Sequence, residues 1–508
     1  MSERPLVDAF VDGQIDRRTF IRRMAAVGVS VAAAGSLAEA LRPDAAGARG
    51  RGGHRGASSV PNPTVVGPIP SSVAPGDPAH DYPFLSTQFD LQRYGYVEEE
   101  FFIEGTADRY AVATGQLTTA TPVDGGHPYR TRIVVRRPKD RRRFNGTAVV
   151  EWYNVTVGFD VEANWFRYHE EILRAGFAWV GVSAQRVGVN YLRTWSPTRY
   201  GTLDVTEGGA IVNDALAWDV YSQALQAIRH PRGVDPLGNL KVRRVIADGE
   251  SSSAAKLTQY YNAIHPTAGL ADAFILNGAP EPNLLVRTDL ETPAFKLLTE
   301  TDVAVIGHAQ NRQADSDVLR TWEVTGTSHA DFDMIGVDWL TPTAPGVNPV
   351  QFRDTGTFQA PSCDFPTLAR TPFKYVYHAV LHHVDRWIRT GKRPPHAPPL
   401  EAASVGPGPR DAILARDEFG IARGGIRLSA VDAPIATNAS PNGPGFFCSI
   451  FGQYVPFDEA TLDRLYPSHG AYVTKVARVV HRNLRDGYLL PRDAVTLLRE
   501  AARSDIGR

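Results

Sequence analysis

Residues 242–257 read V-R-R-V-I-A-D-G-E-S-S-S-A-A-K-L. Val242–Ala247, with its β-branched residues, is strand-like, and Ser252–Ala263 can be helical. Between them, Gly249, Ser251 and Ser253 set the frame G-x-S-x-small, which suits a serine displayed on a sharp strand-to-helix turn. Strand and helix approach closely there, so the positions two residues away must be small. A helix start also directs unpaired backbone N–H groups toward developing negative charge. Ser253 stands where glycine is commonest, and its side chain is small enough to keep the frame. Ser252 and Ser253 are rival nucleophiles outside that frame, and three serines are also what a simple N-cap would look like.

Working outward, the same alternation recurs on both sides. Tyr96–Ile103 and Arg130–Arg136 carry alternating and β-branched residues broken by Gly-Pro clusters, and predict antiparallel strands. Thr147–Tyr153 and Phe177–Val182 are continuous apolar runs, expected of strands covered on both faces. Ala273–Leu276, Phe295–Leu298 and Leu319–Val324 read alike. Trp165–Ala175 has helical spacing and stops at Gly176, and Ala215–Arg229 is amphipathic at the helical period. Alternating strands and helices predict an α/β fold, a mostly parallel sheet flanked by helices. In such folds the site lies beyond the carboxyl ends of the strands, so the loops after Tyr153, Ala247, Leu298 and Val324 are the ones that matter.

Those loops hold what an acyl-transfer site needs. A serine hydroxyl requires a neighbouring imidazole to accept its proton, and the imidazole requires a carboxylate to fix its tautomer. Thr299–Asp302 supplies Glu300 and Asp302, and Thr325–Asp331 supplies His329, in the chain order Ser, acid, His. Asp302 is the better positional match; Glu300 leaves the same strand and is the alternative acid. Two backbone amides must face the developing oxyanion. Ser252, after the nucleophile, provides one, and Val155 in the Asn154–Gly158 loop is chosen for the other.

The segments E-W-Y-N-V, G-F-A-W-V-G-V-S-A-Q-R-V-G-V, G-E-S-S-S, T-E-T-D-V and W-E-V-T-G-T-S-H-A-D resemble the bacterial "alpha/beta hydrolase domain" family of exported proteins. So do Gly424–Arg427 and Phe451–Asp458, and the resemblance covers roughly residues 70–505. It implies the α/β-hydrolase fold and serine-hydrolase activity without naming a substrate. An ester hydrolase with Ser251, Asp302 and His329 needs no cofactor and no metal. Acyl transfer uses the same triad, and a catalytically silent binding protein of this fold is the rival from another class.

The remaining sequence bounds the setting. A net charge of −1 argues against binding nucleic acid through phosphate neutralisation. The Gly50–Gly56 stretch follows no strand and is not a dinucleotide loop. His378 and His382 lie one helical turn apart but lack the glutamate of a zinc-protease helix, and read as structural. D-R-R-T-F-I-R-R at 16–23, followed by a short Ala- and Gly-rich apolar run, resembles a twin-arginine translocation signal, with Arg17 and Arg18 as the pair and Phe20 and Ile21 behind them. Small-x-small cleavage candidates end at Ala40 and Ala48. The apolar run is too short for a comfortable membrane span. The expected organisation is a signal at 1–40, an Arg/Gly/Pro linker at 41–69, a catalytic domain at 70–400 and an extension at 401–508. The extension reads as a Gly-turned hairpin and helices packed on the catalytic domain. The expected partners are a small-molecule ester and the twin-arginine export machinery, and the expected location is periplasmic or extracellular. Export favours a disulfide between Cys363 and Cys448, although two separately buried thiols are also consistent with the sequence.

Overall fold

The apolar runs around the serine turn assemble into one nine-stranded sheet. The strands are β1 (Thr64–Val66), β2 (Tyr96–Tyr110), β3 (Pro122–Pro138), β4 (Thr147–Trp152), β5 (Ala178–Val182), β6 (Arg244–Glu250), β7 (Ala273–Asn277), β8 (Ala294–Thr299) and β9 (Leu319–Val324). Their order is β1-β2-β3-β5-β4-β6-β7-β8-β9. From β5 to β9 every pairing is parallel, and β1, β2 and β3 form an antiparallel edge. The computed structural model describes residues 16–25, 59–87, 89–280, 285–335, 354, 363–365 and 367–508.

Side chains of successive residues leave a strand on opposite faces, and the core divides accordingly. Val149, Trp179, Ile246, Ile275 and Phe295 pack with the helices Ala163–Ala175 and Lys374–Thr390. Ala148, Val150, Val180, Val245 and Phe274 pack on the other face with Ala217–Arg229 and with Leu257 of the helix Ser252–Gln259. All six residues of β4 are buried, including Glu151 among the apolar side chains.

The structure departs from the sequence expectation at several boundaries. The linker read at 41–69 ends earlier, because Thr64–Val66 pairs with Phe102–Glu104 and Val65 is buried. Three residues beside prolines show no periodicity, so only tertiary pairing identifies this strand. β2 and β3 run on as a long twisted pair beyond Ile103 and before Arg130. The helix after Ser251 ends at Gln259 and continues as a wider turn over Tyr260–Ile264. Arg17–Ala25 is a helix whose start is capped by the Asp16 carboxylate on the Thr19 amide, 2.8 Å. The apolar run behind it, with Ala40, Ala48 and most of the linker, lies outside the described residues.

The segment after residue 400 shares the core of the sheet. Strands β10 (Ala402–Ser404) and β11 (Ile413–Leu414) form the first hairpin, and β12 (Ala436–Ala439) pairs with β13 (Gln453–Pro456). Between them Ile426 bonds along the end of β9, its amide 2.7 Å from the Glu323 carbonyl. The helices His469–Asp486, closed by Gly487 in the left-handed conformation, and Pro491–Arg503 bury Val476, Val480, Leu497 and Leu498 in the same cluster as Phe295 and Trp322. His378 is buried against Asp493, 3.0 Å away, and so helps hold the last helix. A disulfide joins Cys363 to Cys448 across 85 residues, linking the catalytic body to this segment.

Candidate active site

Ser251 follows the last residue of β6 and precedes the helix Ser252–Gln259, with φ 57° and ψ −122°. A non-glycine residue at positive φ is uncommon and costs on the order of 1–3 kcal/mol, so the surrounding structure must hold it. The hold is visible. The Ser251 amide donates to the Asn277 carbonyl at the end of β7, 2.8 Å. Ser253 turns its hydroxyl back on Glu250, donating to its carbonyl at 2.8 Å and accepting its amide at 3.0 Å. Serine in place of the usual glycine therefore fastens the turn. A Cβ on Gly249 would stand 3.1 Å from the Ser253 backbone, which explains the small residue there. The Ser252 hydroxyl is engaged with that of Thr156, 2.8 Å away. Ser251 does not cap the helix with its side chain, and it is only partly buried.

Of the two carboxylates leaving β8, Asp302 reaches the imidazole. His329 Nδ1 lies 2.6 Å from Asp302 Oδ1. A Thr299–Asp302 capping box holds the acid from its other oxygen, which accepts the Thr299 amide at 2.7 Å and its hydroxyl at 2.8 Å. That T-x-x-D spacing is a sequence signal that singles out Asp302. Glu300 points elsewhere: it accepts the Gly326 amide at 2.6 Å and Arg416 Nη2 at 3.1 Å, so it braces the His329 loop and the C-terminal segment. A Cβ on Gly278 would come within 2.7 Å of Asp302 Oδ1 and 2.9 Å of His329 Nδ1, so only glycine leaves the pair room to meet.

Burial pulls the His329 imidazole toward its neutral form, but the charges of Glu250 and Asp302 and the Asp302 hydrogen bond outweigh it and raise its pKa. Burial likewise lifts the Asp302 carboxyl, and the His329 charge and hydrogen bond overcome this and hold it below the ordinary carboxylate range. Arg167, fully buried on the helix Ala163–Ala175, donates to the His329 carbonyl at 2.7 Å and to Asp331 at 3.3 Å, fixing the imidazole's loop. Beneath the turn, Glu151 and Asp248 are paired in register on β4 and β6. Glu151 accepts the first amides of that helix, from Asn164 at 2.9 Å and Trp165 at 3.1 Å, and Asp248 accepts Asn164 Nδ2 at 2.8 Å.

The loop after β4 supplies the second set of amides. Asn154 N bonds the Val161 carbonyl, Thr156 N bonds Asn154 Oδ1 and Gly158 N bonds the Val155 carbonyl. The Val155 amide has no such partner among the described residues. Asn154 Nδ2 ties this loop to the Glu250 carbonyl at 2.9 Å. The sequence reading missed Glu250, Arg167 and Gly278. A charged residue closing an apolar strand is a signal for the first, while the other two act through packing that spacing does not encode. Further out, the 186–213 segment borders a cavity of about 380 Å³ lined by Arg186, Asn190, Arg193, Asp204 and Thr206 among others. Most of the 331–370 stretch lies outside the described residues.

Residues 65–499 match the model of a family described as "Alpha/beta hydrolase domain". The chain belongs to this family. Among solved structures, this alpha/beta hydrolase aligns with prolyl endopeptidases at 12% identity and TM-score 0.26, over 45% of its own length and 35% of theirs, so it spans about a third of those chains. It aligns with an α/β serine hydrolase without a lid from Xanthomonas campestris at 15% identity and TM-score 0.27, over 44% of this chain and 86% of that one. Fungal esterases from Rhizomucor miehei align at 8% identity and TM-score 0.30, over 57% and 85%. A search of curated proteins finds no match.

Proposed function

We propose that this alpha/beta hydrolase cleaves a carboxylic ester through an acyl-serine intermediate, with Ser251 as nucleophile, His329 as base and Asp302 as the acid that orients it. The observation that carries the reading is the 2.6 Å Asp302–His329 hydrogen bond, together with a partly exposed serine held at φ 57° on the turn after β6. In the first half-reaction the Ser251 hydroxyl gives its proton to His329 Nε2 and its oxygen bonds to the ester carbonyl carbon. The Ser252 and Val155 amides stabilise the resulting oxyanion. As the tetrahedral species collapses, the bond to the alcohol breaks and the imidazolium returns the proton to the leaving oxygen. Water repeats the sequence and frees the acid. No step draws on a cofactor or a metal.

A fluorophosphonate probe tests this directly, because it phosphonylates an activated serine. Peptide mapping is expected to find the label on Ser251 and to lose it in Ser251→Ala. A label on Ser252, or none on protein that hydrolyses esters, overturns the assignment.

We also propose export by the twin-arginine machinery. The Arg17-Arg18 motif and the Cys363–Cys448 disulfide, a bond that persists in oxidising compartments, support it. No described helix is long and apolar enough to cross a membrane. Replacing both arginines with lysine is expected to leave the protein in the cytoplasm; unchanged export refutes the proposal.

A further inference from the structure

The carboxylate of Glu250 has no part in the reaction described above, yet it belongs to the site's wall. Glu250 is the last residue of β6 and is 2% exposed. Its Oε2 accepts Asn154 Nδ2 at 3.3 Å. Its Oε1 accepts no hydrogen bond among the described residues. That oxygen lies 3.5 Å from His329 Nε2 and 3.9 Å from Arg167 Nη1. A buried carboxylate oxygen left unmatched is costly, and such groups ordinarily find donors. Here the nearest donor is the nitrogen that must take and return the serine proton.

We propose that Glu250 is a positioning residue for His329, a second anionic partner that holds the imidazole from its Nε2 side while Asp302 holds it from Nδ1. The inference rests on the ester-hydrolase reading for its role in turnover, but its electrostatic core is independent of that reading. When His329 carries the proton, Glu250 Oε1 faces the charged N–H and stabilises it. The proton stays on the imidazole until the leaving oxygen takes it, so Glu250 changes no bond. It sets how readily Nε2 accepts a proton and how the ring is oriented beside Ser251.

The groups facing His329 have opposing effects. Glu250 at the end of β6 and Asp302 on the short helix after β8 favour the imidazolium, and burial and Arg167 oppose it. His308, after the helix Glu300–Ala304, is held neutral by burial and by nearby Lys296, with its pKa lowered to about 4, so it adds little charge near neutral pH. Asp331 is engaged by Arg167 on the far side of the loop. Removing the Glu250 charge while keeping its shape therefore lowers the His329 pKa. An opposite charge within this range moves a pKa by about 1 unit or more.

The test titrates His329 by NMR in full-length protein with isotopically labelled histidine, carrying Ser251→Ala so that no turnover intervenes, and assigns the signal with His329→Gln. Adding Glu250→Gln is expected to lower the His329 pKa by about 1 unit, and Glu250→Asp, which keeps the charge, to retain most of the original value. In the active background the acid limb of kcat/KM is expected to move to lower pH by the same amount in Glu250→Gln. An unchanged titration in both variants overturns the proposal, as does an equal fall in Glu250→Asp and Glu250→Gln, which marks a purely structural role. If Glu250→Gln does not fold, the parent protein and Glu250→Asp still decide it: a His329 pKa at or below the ordinary histidine value in both refutes the paired arrangement. Failure of the hydrolase reading looks different, since Ser251 then goes unlabelled by the fluorophosphonate while the titration shift persists.

Discussion

On β3, Arg132 and Arg136 are completely buried, and each lies within ion-pair distance of two carboxylates. Glu100 and Asp160 stand 3.1 and 3.2 Å from Arg132, and Glu98 and Glu162 stand 2.8 and 2.7 Å from Arg136. At the carboxyl end of β6, six residues of parallel strand lead instead to Glu250, whose Oε1 stands 3.5 Å from His329 Nε2. Both regions bury charge. In the antiparallel edge each cation is met by two anions, whereas at the strand ends Glu250 and Asp302 converge on one imidazole. The number of buried ionisable groups therefore says little about where chemistry occurs. What separates the regions is whether the charge set closes on itself or converges on a group that changes protonation in the proposed reaction.

The sharpest way to break this contrast is on the acid. Asp302→Asn removes the anion that fixes the imidazole tautomer, and turnover is expected to fall by about 10⁴-fold with the thermal midpoint little changed. A turnover within tenfold of the parent puts the acid elsewhere. Arg132→Met takes one cation from the edge network, leaving Asp160 buried without its cation and Glu100 with Arg199 as its remaining one. A loss of about 3–5 kcal/mol in urea unfolding is expected. Activity per folded molecule should be unaffected. If that variant is as stable as the parent but inactive, the edge network serves the site and the contrast fails. The smallest effect is assigned to Glu300→Gln, expected to cost about 1–3 kcal/mol through the lost charge-assisted bonds to Gly326 and Arg416, with kcat changed only a few-fold. Should Glu300→Gln and Asp302→Asn exchange outcomes, the acid is Glu300.

The legibility of the sequence follows the same division. β4 to β9 are readable because strands covered on both faces are dominated by apolar residues, and the serine frame between β6 and its helix points to the proposed site. Position along the chain favours Asp302 over Glu300 but leaves both open, because two residues on one turn differ mainly in direction, which only the T-x-x-D capping box betrays. The capping box of Thr299 is what turns Asp302 toward His329. Glu250 was passed over for a related reason: in the motif it occupies the unspecified position before the serine, and nothing in a linear pattern reveals that its side chain shares a wall with His329. β1 escaped because three residues between prolines carry no period at all.

The bonds from Glu300 to Arg416, and from Thr301 to Ser440, join the loop that carries the acid to residues more than a hundred positions later in the chain. Synthesis therefore imposes an order on activity. A growing chain has made Ser251, Asp302 and His329 well before it has made the arginine and serine that brace the acid's loop, and the two closing helices come later still. The turn that carries Asp302 receives these supports only when the segment after residue 400 has emerged. A nascent chain stalled near residue 400 would thus hold all three groups of the proposed triad and still lack the framework that sets them, which ties the onset of the proposed hydrolysis to synthesis of that segment.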